Sequence, residues 1–232
     1  MIDWHSHILP KFDDGSKDIQ QSLAMLAMLA KQGVHRVVAT PHFSANKETV
    51  DAFLQRRDRA YSELCDKMDE TLPKVLQGAE VEFYNGISRL DGLEGLCIDN
   101  TNLILIEMPL SRWTEYTVRE LEELAATKNV TVVLAHIERY FSKNGMNVFE
   151  RFYKNGILMQ VSADCFKCFF LRRKAFSLLE WGAVRFIGTD CHNTTTRPPN
   201  MSVAVEQITK KYGSTFLERL NEYGISVLEN NI

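Results

Sequence analysis

The sequence has little net charge, no long apolar run and few cysteines. Its 27 basic and 30 acidic side chains leave a formal charge of −3, so no basic surface for nucleic acid is expected. The longest apolar run, Leu23 to Ala30, is far shorter than the roughly 18 residues of a membrane span, and membrane insertion is not expected. Asp3 and His5 interrupt the start, where a signal peptide would be apolar. Five cysteines without a disulfide spacing favour a cytoplasmic protein.

Apolar runs typical of strands alternate with segments of helical periodicity along the whole chain. The predicted strands are 1–7, 36–40, 74–81, 103–108, 130–135, 157–162 and 184–188. The predicted helices are 18–32, 48–70, 117–128, 173–181 and a stretch from 202 onward with a break at 212–213. Such alternation predicts an α/β fold with a parallel sheet covered by helices. Because no linker or repeat divides the chain, residues 1–232 are predicted to form a single domain.

Five of the six histidines follow short apolar runs, and several acidic residues do the same. A single buried histidine is usually an ordinary core residue, but a whole set at predicted strand ends favours a multinuclear metal site. His35 is the contrast, because it precedes a strand and is interpreted as structural. The candidate metal ligands are His5, His7, Asp14, His42, Glu80, Glu107, His136, Asp190 and His192. Since they come from nearly every strand end, a closed barrel is favoured over an open doubly wound sheet.

Strand alternation places two of these histidines on one side of the chain. His5 and His7 are separated by one residue and therefore point the same way. Asp190 and His192 repeat this spacing near the other end of the sequence. Neutral imidazole and carboxylate ligands suit Mn²⁺, Fe²⁺ or Zn²⁺. Cys191 is turned the other way by the same alternation, so a thiolate zinc site is not expected.

A series of short motifs runs through the chain in a fixed order. They are 1–10 (MIDWHSHILP), 13–15 (DDG), 39–42 (ATPH), 78–80 (GAE), 106–107 (IE), 135–140 (AHIERY), 189–193 (TDCHN), 197–198 (RP) and 227–230 (VLEN). With this set the chain resembles the PHP superfamily (polymerase and histidinol phosphatase domain). More closely, it is similar to the bacterial metal-dependent protein-tyrosine phosphatases of capsule and exopolysaccharide operons. The resemblance covers essentially the whole chain, with departures at Ile137 and Cys191, where the family usually has proline and alanine.

The resemblance implies a distorted (β/α)7 barrel of PHP type that holds three divalent metal ions. Manganese is the expected metal, with iron or zinc as alternatives. One ion would be held by His5, His7, Glu80 and Asp190, a second by Glu80, Glu107 and His136, and a third by Asp14, His42 and His192. The implied activity is that of a phosphoric monoester hydrolase acting on phosphotyrosine. The implied substrate is the tail of a tyrosine autokinase that controls capsule or exopolysaccharide synthesis.

Two arginines are the candidate catalytic residues beside the metal ligands. Arg139 follows His136 by three residues, and Arg197 follows His192 by five. A guanidinium group matches a phosphate bidentately, so both side chains are expected to clamp the phosphoryl group. The ordinary alternative is a solvated loop arginine. The mechanistic hypothesis is in-line attack on phosphorus by water activated by the metal ions, with departure of a phenolate of pKa about 10.

Three other functions stay open at this stage. Cys191 to Arg197 has the Cys-x5-Arg spacing of cysteine-dependent tyrosine phosphatases, although its loop lacks glycine and the histidines would be unexplained. A small-molecule phosphatase of the histidinol-phosphatase type is the second possibility. A metal-binding partner protein without catalysis is the third. The oligomeric state is not predicted.

Two further groups of side chains each have a functional and an ordinary interpretation. Four aromatic residues could stack on a phosphotyrosine ring or simply pack in the core: Phe12, Phe43, Tyr84 and Tyr140. The basic run 172–174 could attract an acidic substrate, whereas the ordinary interpretation is a solvated helix start.

Overall fold

The structure is a computed structural model that describes residues 1–230. Strands and helices alternate within these residues. The strands are β1 (Ile2–Ser6), β2 (Arg36–Ala39), β3 (His42–Phe43), β4 (Lys74–Gln77), β5 (Glu80–Glu82), β6 (Leu103–Glu107), β7 (Thr131–Leu134), β8 (Leu158–Ser162) and β9 (Val184–Gly188). The helices are α1 (Ile19–Lys31), α2 (Val50–Cys65), α3 (Glu115–Thr127), α4 (Met146–Lys154), α5 (Phe169–Trp181), α6 (Met201–Tyr212) and α7 (Ser214–Asn230). The predicted α/β class is therefore confirmed.

The strands form two sheets in which every named pair is parallel. The small sheet has the order β1-β2-β4, and the large sheet has the order β3-β5-β6-β7-β8-β9. A further parallel bridge joins Ser6, at the end of β1, to Cys191, just after β9. There the backbone N–H of His7 donates to the carbonyl of Cys191 at 2.9 Å. Parallel pairing brings the carboxyl ends of the strands to the same side of the molecule.

The prediction of one strand over 74–81 is wrong, because the chain changes sheet inside it. Gly78 separates β4 from β5, and its N–H donates to the carbonyl of Ala39 at 2.9 Å. A Cβ on this glycine would lie 3.2 Å from Val38 Cγ1, so the close approach favours glycine. The short strand β3 and helix α4 were not predicted either. Pro41 precedes β3 and has no N–H with which to continue the β2 ladder.

Side-chain caps and glycines set the limits of several helices. Three helices begin at residues whose side chains accept a hydrogen bond from a first-turn N–H: Asp18, Thr49 and Thr114. Gly182, with a φ of 77°, ends α5 in the left-handed conformation that glycine adopts at low cost. Gly213 separates α6 from α7, and this break agrees with the one predicted at 212–213.

The hydrophobic interior has two parts. The larger part lies between the strands and helices α1 to α6, and a smaller cluster, which includes Ile2, Trp4 and Phe186, packs against α7 through Val227. Helix α7 approaches β1 so closely that a Cβ on Gly224 would lie 2.8 Å from the Trp4 ring. None of the helices described between residues 1 and 230 is long and apolar enough to cross a membrane.

Candidate metal centre

Histidine and acidic side chains meet at one cluster, most of them at or just after the carboxyl ends of strands, whereas His42 and Glu80 begin the short strands β3 and β5. His5 lies on β1, and His7 is the first residue after this strand. Their Nε2 atoms approach to 3.2 Å, which agrees with the predicted alternation. Both histidines are buried, with at most 1% of each exposed. The two rings so arranged direct their Nε2 atoms toward one shared position.

Glu80, at the start of β5, occupies the middle of the cluster. Its Oε2 lies 3.3 Å from His5 Nε2, 3.2 Å from His7 Nε2 and 3.0 Å from His42 Nδ1. Its Oε1 lies 2.7 Å from His136 Nε2. Burial favours the neutral acid, but the facing histidines hold the pKa of Glu80 well below its usual range. The carboxylate is therefore ionised and available to positive charge.

All nine predicted ligands are brought together, in overlapping groups. Within each of three groups, one ligand atom per residue lies within 4.8 Å of the others: His7, Asp14, His42 and His192; His5, His7 and Asp190; and His42, Glu80 and Glu107. His136 joins the third group, because its Nε2 also lies 3.3 Å from Glu107 Oε1. Since His7 and His42 each fall in two groups, the allocation of ligands to individual ions stays a prediction.

The donor atoms fit divalent metal ions. His192 Nε2 is buried, and within residues 1–230 it has no hydrogen-bond partner; it lies 3.5 Å from Asp14 Oδ1. Burial and the nearby His7 lower the pKa of His192 to about 4, so this imidazole is neutral and its lone pair is free to bind a metal. Imidazole and carboxylate together suit Mn²⁺, Fe²⁺ or Zn²⁺.

Two of the predicted ligands have unusual backbone conformations. His136 has a φ of 30° and Asp190 a φ of 53°, both in the left-handed region. Such conformations are costly for residues other than glycine and cluster at functional sites. The Asp190 N–H donates to the carbonyl of His5 at 2.8 Å, which fixes this turn against β1. The surrounding structure thus holds these two side chains toward the cluster.

Residues that the sequence analysis did not select orient the histidines. Asp13 Oδ2 accepts from His7 Nδ1 at 2.8 Å. Gln160 Oε1, on β8, accepts from the His136 N–H at 2.7 Å and lies 3.2 Å from His5 Nδ1. The contacts to the Nδ1 atoms of His7 and His5 direct the opposite ring nitrogen, Nε2, toward the cluster, as metal-binding histidines require, whereas the contact to His136 fixes its backbone. Asp13 lies in the DDG motif at 13–15 but was not selected as a site residue, and no sequence signal marked Gln160.

Tyr140, one of the four candidate stacking residues, also supports the site. It is fully buried, and its hydroxyl accepts from the Met108 N–H at 3.0 Å and lies 3.3 Å from His136 Nδ1. Phe43 is likewise buried in the core. For these two residues the packing interpretation fits the structure. Phe12 is buried as well, and both Phe12 and Phe43 line the open mouth of the centre, a cavity of about 460 Å³, whereas Tyr84 lines a neighbouring groove.

The two predicted arginines converge on one carboxylate. Arg139 ion-pairs with Asp190 Oδ2, and Arg197 Nη2 lies 2.8 Å from the same oxygen. The other oxygen of Asp190 lies 3.6 Å from His5 Nε2. Asp190 therefore links the histidine cluster to the guanidinium pair. Arg139 also lies 3.6 Å from Glu107, so it spans the edge of the centre.

The geometry of Cys191 does not fit a cysteine nucleophile. Its side chain is fully buried, and burial raises the pKa of the thiol well above its usual range. A catalytic cysteine needs the opposite shift. The amides of Thr195, Thr196 and Arg197 donate to Asn193 Oδ1 at 2.9, 2.7 and 3.1 Å. They are therefore not arranged as a phosphate cradle around the sulfur.

The basic run 172–174 is only partly free for a ligand. Arg172 donates to Gln207 and Lys174 donates to the carbonyl of Phe141 at 3.1 Å, whereas Arg173 is exposed. The predicted solvated helix start therefore fits only Arg173, because Arg172 and Lys174 bind neighbouring residues and α5 already begins at Phe169.

The sequence and fold match proteins of known family. The profile of the family described as "Capsular polysaccharide synthesis, CpsB/CapC" matches residues 1–225. The tyrosine-protein phosphatase YwqE of Bacillus subtilis is 29% identical over 99% of this chain and 92% of its own length. The tyrosine-protein phosphatase CpsB of Streptococcus pneumoniae is 31% identical over 92% of each chain.

A solved structure agrees with the sequence matches. A structure from a study of YwqE from Bacillus subtilis and CpsB from Streptococcus pneumoniae, described as unique metal-dependent tyrosine phosphatases, superposes with a TM-score of 0.84. The two sequences are 26% identical, and the superposition covers 100% of this chain and 96% of the solved chain. With the profile match over nearly its whole length, this chain belongs to the CpsB/CapC family of capsular polysaccharide synthesis.

Proposed function

We propose that this chain is a metal-dependent protein-tyrosine phosphatase that hydrolyses phosphotyrosine. The observation that carries the proposal is the convergence of five histidines on Glu80 and Asp190, with Arg139 and Arg197 bound to the latter. Full-length relatives named tyrosine-protein phosphatases support it. Hydrolysis of a phosphomonoester requires positive charge near the phosphoryl oxygens and an activated water. The site offers ligands for metal ions, which would meet both requirements, and two guanidinium groups that add positive charge.

The proposed cofactor is a set of three divalent ions, with manganese expected and iron or zinc as alternatives. The nine residues of the cluster would hold them. When bound, the ions lower the pKa of water and neutralise charge on the phosphoryl oxygens. The chemistry of the donor set supports this proposal, because it contains imidazole and carboxylate groups and no thiolate.

The chain's own residues have distinct proposed roles. Arg139 and Arg197 bind the phosphoryl oxygens, and Asp190 holds both guanidinium groups in register. Asp13 fixes His7 in one tautomer, and Gln160 does the same for His5. The leaving phenolate has a pKa of about 10, so its departure needs less help from an acid than that of an alkoxide.

The finer architecture and context are also part of the proposal. We infer that residues 1–232 form one domain and that the two sheets belong to a distorted (β/α)7 barrel. The bridge between Ser6 and Cys191 supports it, since it joins the first strand to the end of the last. The proposed substrate is a tyrosine autokinase of capsule or exopolysaccharide synthesis. The proposed location is the cytoplasm, which five free cysteines favour.

A small-molecule phosphatase of the histidinol-phosphatase type is the alternative. It would need an acidic group near the metal centre to bind the amine of its substrate. Glu82 is exposed and lines the mouth beside Glu107, so such a group is present. The names of the full-length relatives favour the tyrosine phosphatase.

The decisive experiment measures hydrolysis of a phosphotyrosyl peptide by metal-stripped protein, before and after Mn²⁺ is restored. Activity only with metal is the expected result. Activity that persists without metal would move the chemistry to Cys191, and survival of activity in Cys191→Ser would exclude that route. If metal restores hydrolysis of a small amine phosphate but not of the peptide, the alternative function is correct.

A further inference from the structure

A second cavity, called the side groove below, adjoins the mouth of the metal centre. It is lined by residues 45–51, Tyr84, Gly86 and 89–92, and its volume is about 740 Å³. Lys47 and Glu48 line both cavities, so the two are continuous. A polypeptide whose phosphorylated side chain enters the mouth would therefore have neighbouring residues within reach of the groove.

Two cations of the side groove have no partner of their own. Lys47 and Arg89 are exposed, and within the described part of the chain neither side chain makes a hydrogen bond or an ion pair. Arg56 at the mouth differs, because it pairs with Glu48 at 2.5 Å and lies 3.7 Å over the Phe12 ring. The charge of Arg56 is thus already neutralised, whereas those of Lys47 and Arg89 are available to a ligand.

The chain runs from the mouth into the side groove, where Arg89 lies. Glu82 lines the mouth, and Tyr84 and Gly86 line the groove just after it. Gly86 has a φ of 101°, and a Cβ there would lie 3.1 Å from Arg89 Nη2. The guanidinium group therefore lies across this glycine. A larger residue at this position would both strain the backbone and displace the cation.

Three acidic residues also line the groove: Glu48, which pairs with Arg56, and Asp51 and Asp91. Asp51 and Asp91 are the sequence neighbours of Val50 and Gly92. Val50 and Gly92 lie close together, because a Cβ on Gly92 would be 3.4 Å from Val50 Cγ1. None of these four residues lines the mouth. Lys47 and Glu48 therefore lie where the groove meets the mouth, and Arg56 neutralises Glu48 there, whereas Arg89, Asp51 and Asp91 line only the groove.

We propose that the side groove binds the substrate polypeptide next to its phosphotyrosine, and that Lys47 and Arg89 select an anionic side chain there. The inference rests on the proposed function and names a specificity determinant for it. Two kinds of substrate side chain carry such a negative charge: a carboxylate and a second phosphotyrosine. An extended chain advances about 10 Å in three residues, so the anion is expected within three residues of the scissile phosphotyrosine.

The test compares matched phosphotyrosyl peptides with the manganese-loaded enzyme. One peptide has neutral flanking residues, a second has glutamates within three residues on either side, and a third has a second phosphotyrosine there. The readout is the ratio of kcat/KM for an anionic peptide to kcat/KM for the neutral one. A general loss of activity or folding does not move this ratio.

The wild-type ratio is expected to be about ten, because each exposed ion pair gives a factor of about two to five. Lys47→Ala or Arg89→Ala should lower it by about two- to fivefold each, and the double variant should bring it to about one. Arg59→Ala, an exposed arginine on α2 outside the groove, should keep the wild-type ratio. The preference should also weaken as salt screens the exposed charges.

The outcomes distinguish an error in the role of the side groove from an error in the proposed function. A wild-type ratio near one, or a ratio that the double variant preserves, would overturn the role of the groove while leaving the phosphatase intact. If the manganese-loaded wild type hydrolyses none of the three peptides, the proposed function is overturned instead. Binding of uncleavable phosphonate analogues, followed by fluorescence anisotropy, gives the same ratio without catalysis. A raised ratio for the doubly phosphorylated peptide alone identifies phosphate as the selected anion. Equally raised ratios for this peptide and the glutamate peptide show that any negative charge is selected.

Discussion

The metal centre has a buried half and an open half, and they are built differently. The side chains of His5, His7, Glu80 and His136 are at most 1% exposed. Those of Asp14, His42 and Glu107 are 64%, 38% and 25% exposed. The buried histidines have second contacts that fix their rings, from Asp13, Gln160 and Tyr140. The open ligands mainly contact other members of the cluster.

This difference indicates that the two halves depend on metal to different degrees. Hydrogen bonds to core residues fix the buried half independently of metal. Within the described residues, the carboxylate of Asp14 makes ion pairs only with His42 and His192, so a bound ion would add to the few interactions that hold it. We therefore expect changes in the buried half to be severe and those in the open half to be reversible by excess metal.

The largest effect is expected from Glu80→Gln, which removes the charge at the centre of the buried half. Four histidines face this carboxylate, and a neutral amide cannot balance the charge of a metal ion held among them. Activity on a phosphotyrosyl peptide should fall by about 10³-fold or more. Bound manganese, measured by elemental analysis of the purified protein, should fall as well. Full metal content in this variant would show that Glu80 is not a ligand.

Arg139→Ala tests the boundary between the halves, because Arg139 contacts Asp190 on the buried side and Glu107 on the open side. Loss of one group that stabilises transition-state charge should lower kcat by about 10²-fold. Metal content should stay at the wild-type level, since no ligand is removed. Arg59→Ala serves as the control for loss of an exposed arginine. Unchanged turnover with metal retained would exclude the catalytic role of Arg139.

Asp13→Asn asks whether a charged contact behind a buried ligand matters. An asparagine keeps the size of the side chain but removes the carboxylate that accepts from His7 Nδ1 at 2.8 Å. Metal affinity should weaken by about 10- to 100-fold, as measured by titration of the stripped protein with Mn²⁺ in a calorimeter. Asp66→Asn, an exposed residue after α2, should leave the affinity unchanged. Equal affinities in the two variants would contradict the orienting role of Asp13.

The same division explains how far the sequence predicts this site. Ligands of both halves follow apolar runs, so the strand pattern and the family motifs are sufficient to find them. Asp13 lies in the DDG motif at 13–15 but follows no apolar run, and Gln160 lies inside a predicted strand rather than at its end. Only the tertiary fold brings Gln160 Oε1 to 3.2 Å from His5 Nδ1. The two-sheet division was missed for a related reason. Gly78 redirects the chain through tertiary contacts with Ala39 rather than through local propensity.

The smallest effect is expected from Asp14→Asn, in the open half. The side chain is 64% exposed and lies 3.4 Å from His42 Nε2, where water competes for every charge interaction. Activity at limiting Mn²⁺ should fall by about tenfold, a smaller loss than removal of a buried contact causes. Excess Mn²⁺ should restore it, because the remaining ligands still define the position. The same excess should not rescue Glu80→Gln. If metal rescues both variants or neither, the two halves do not differ in their dependence on metal.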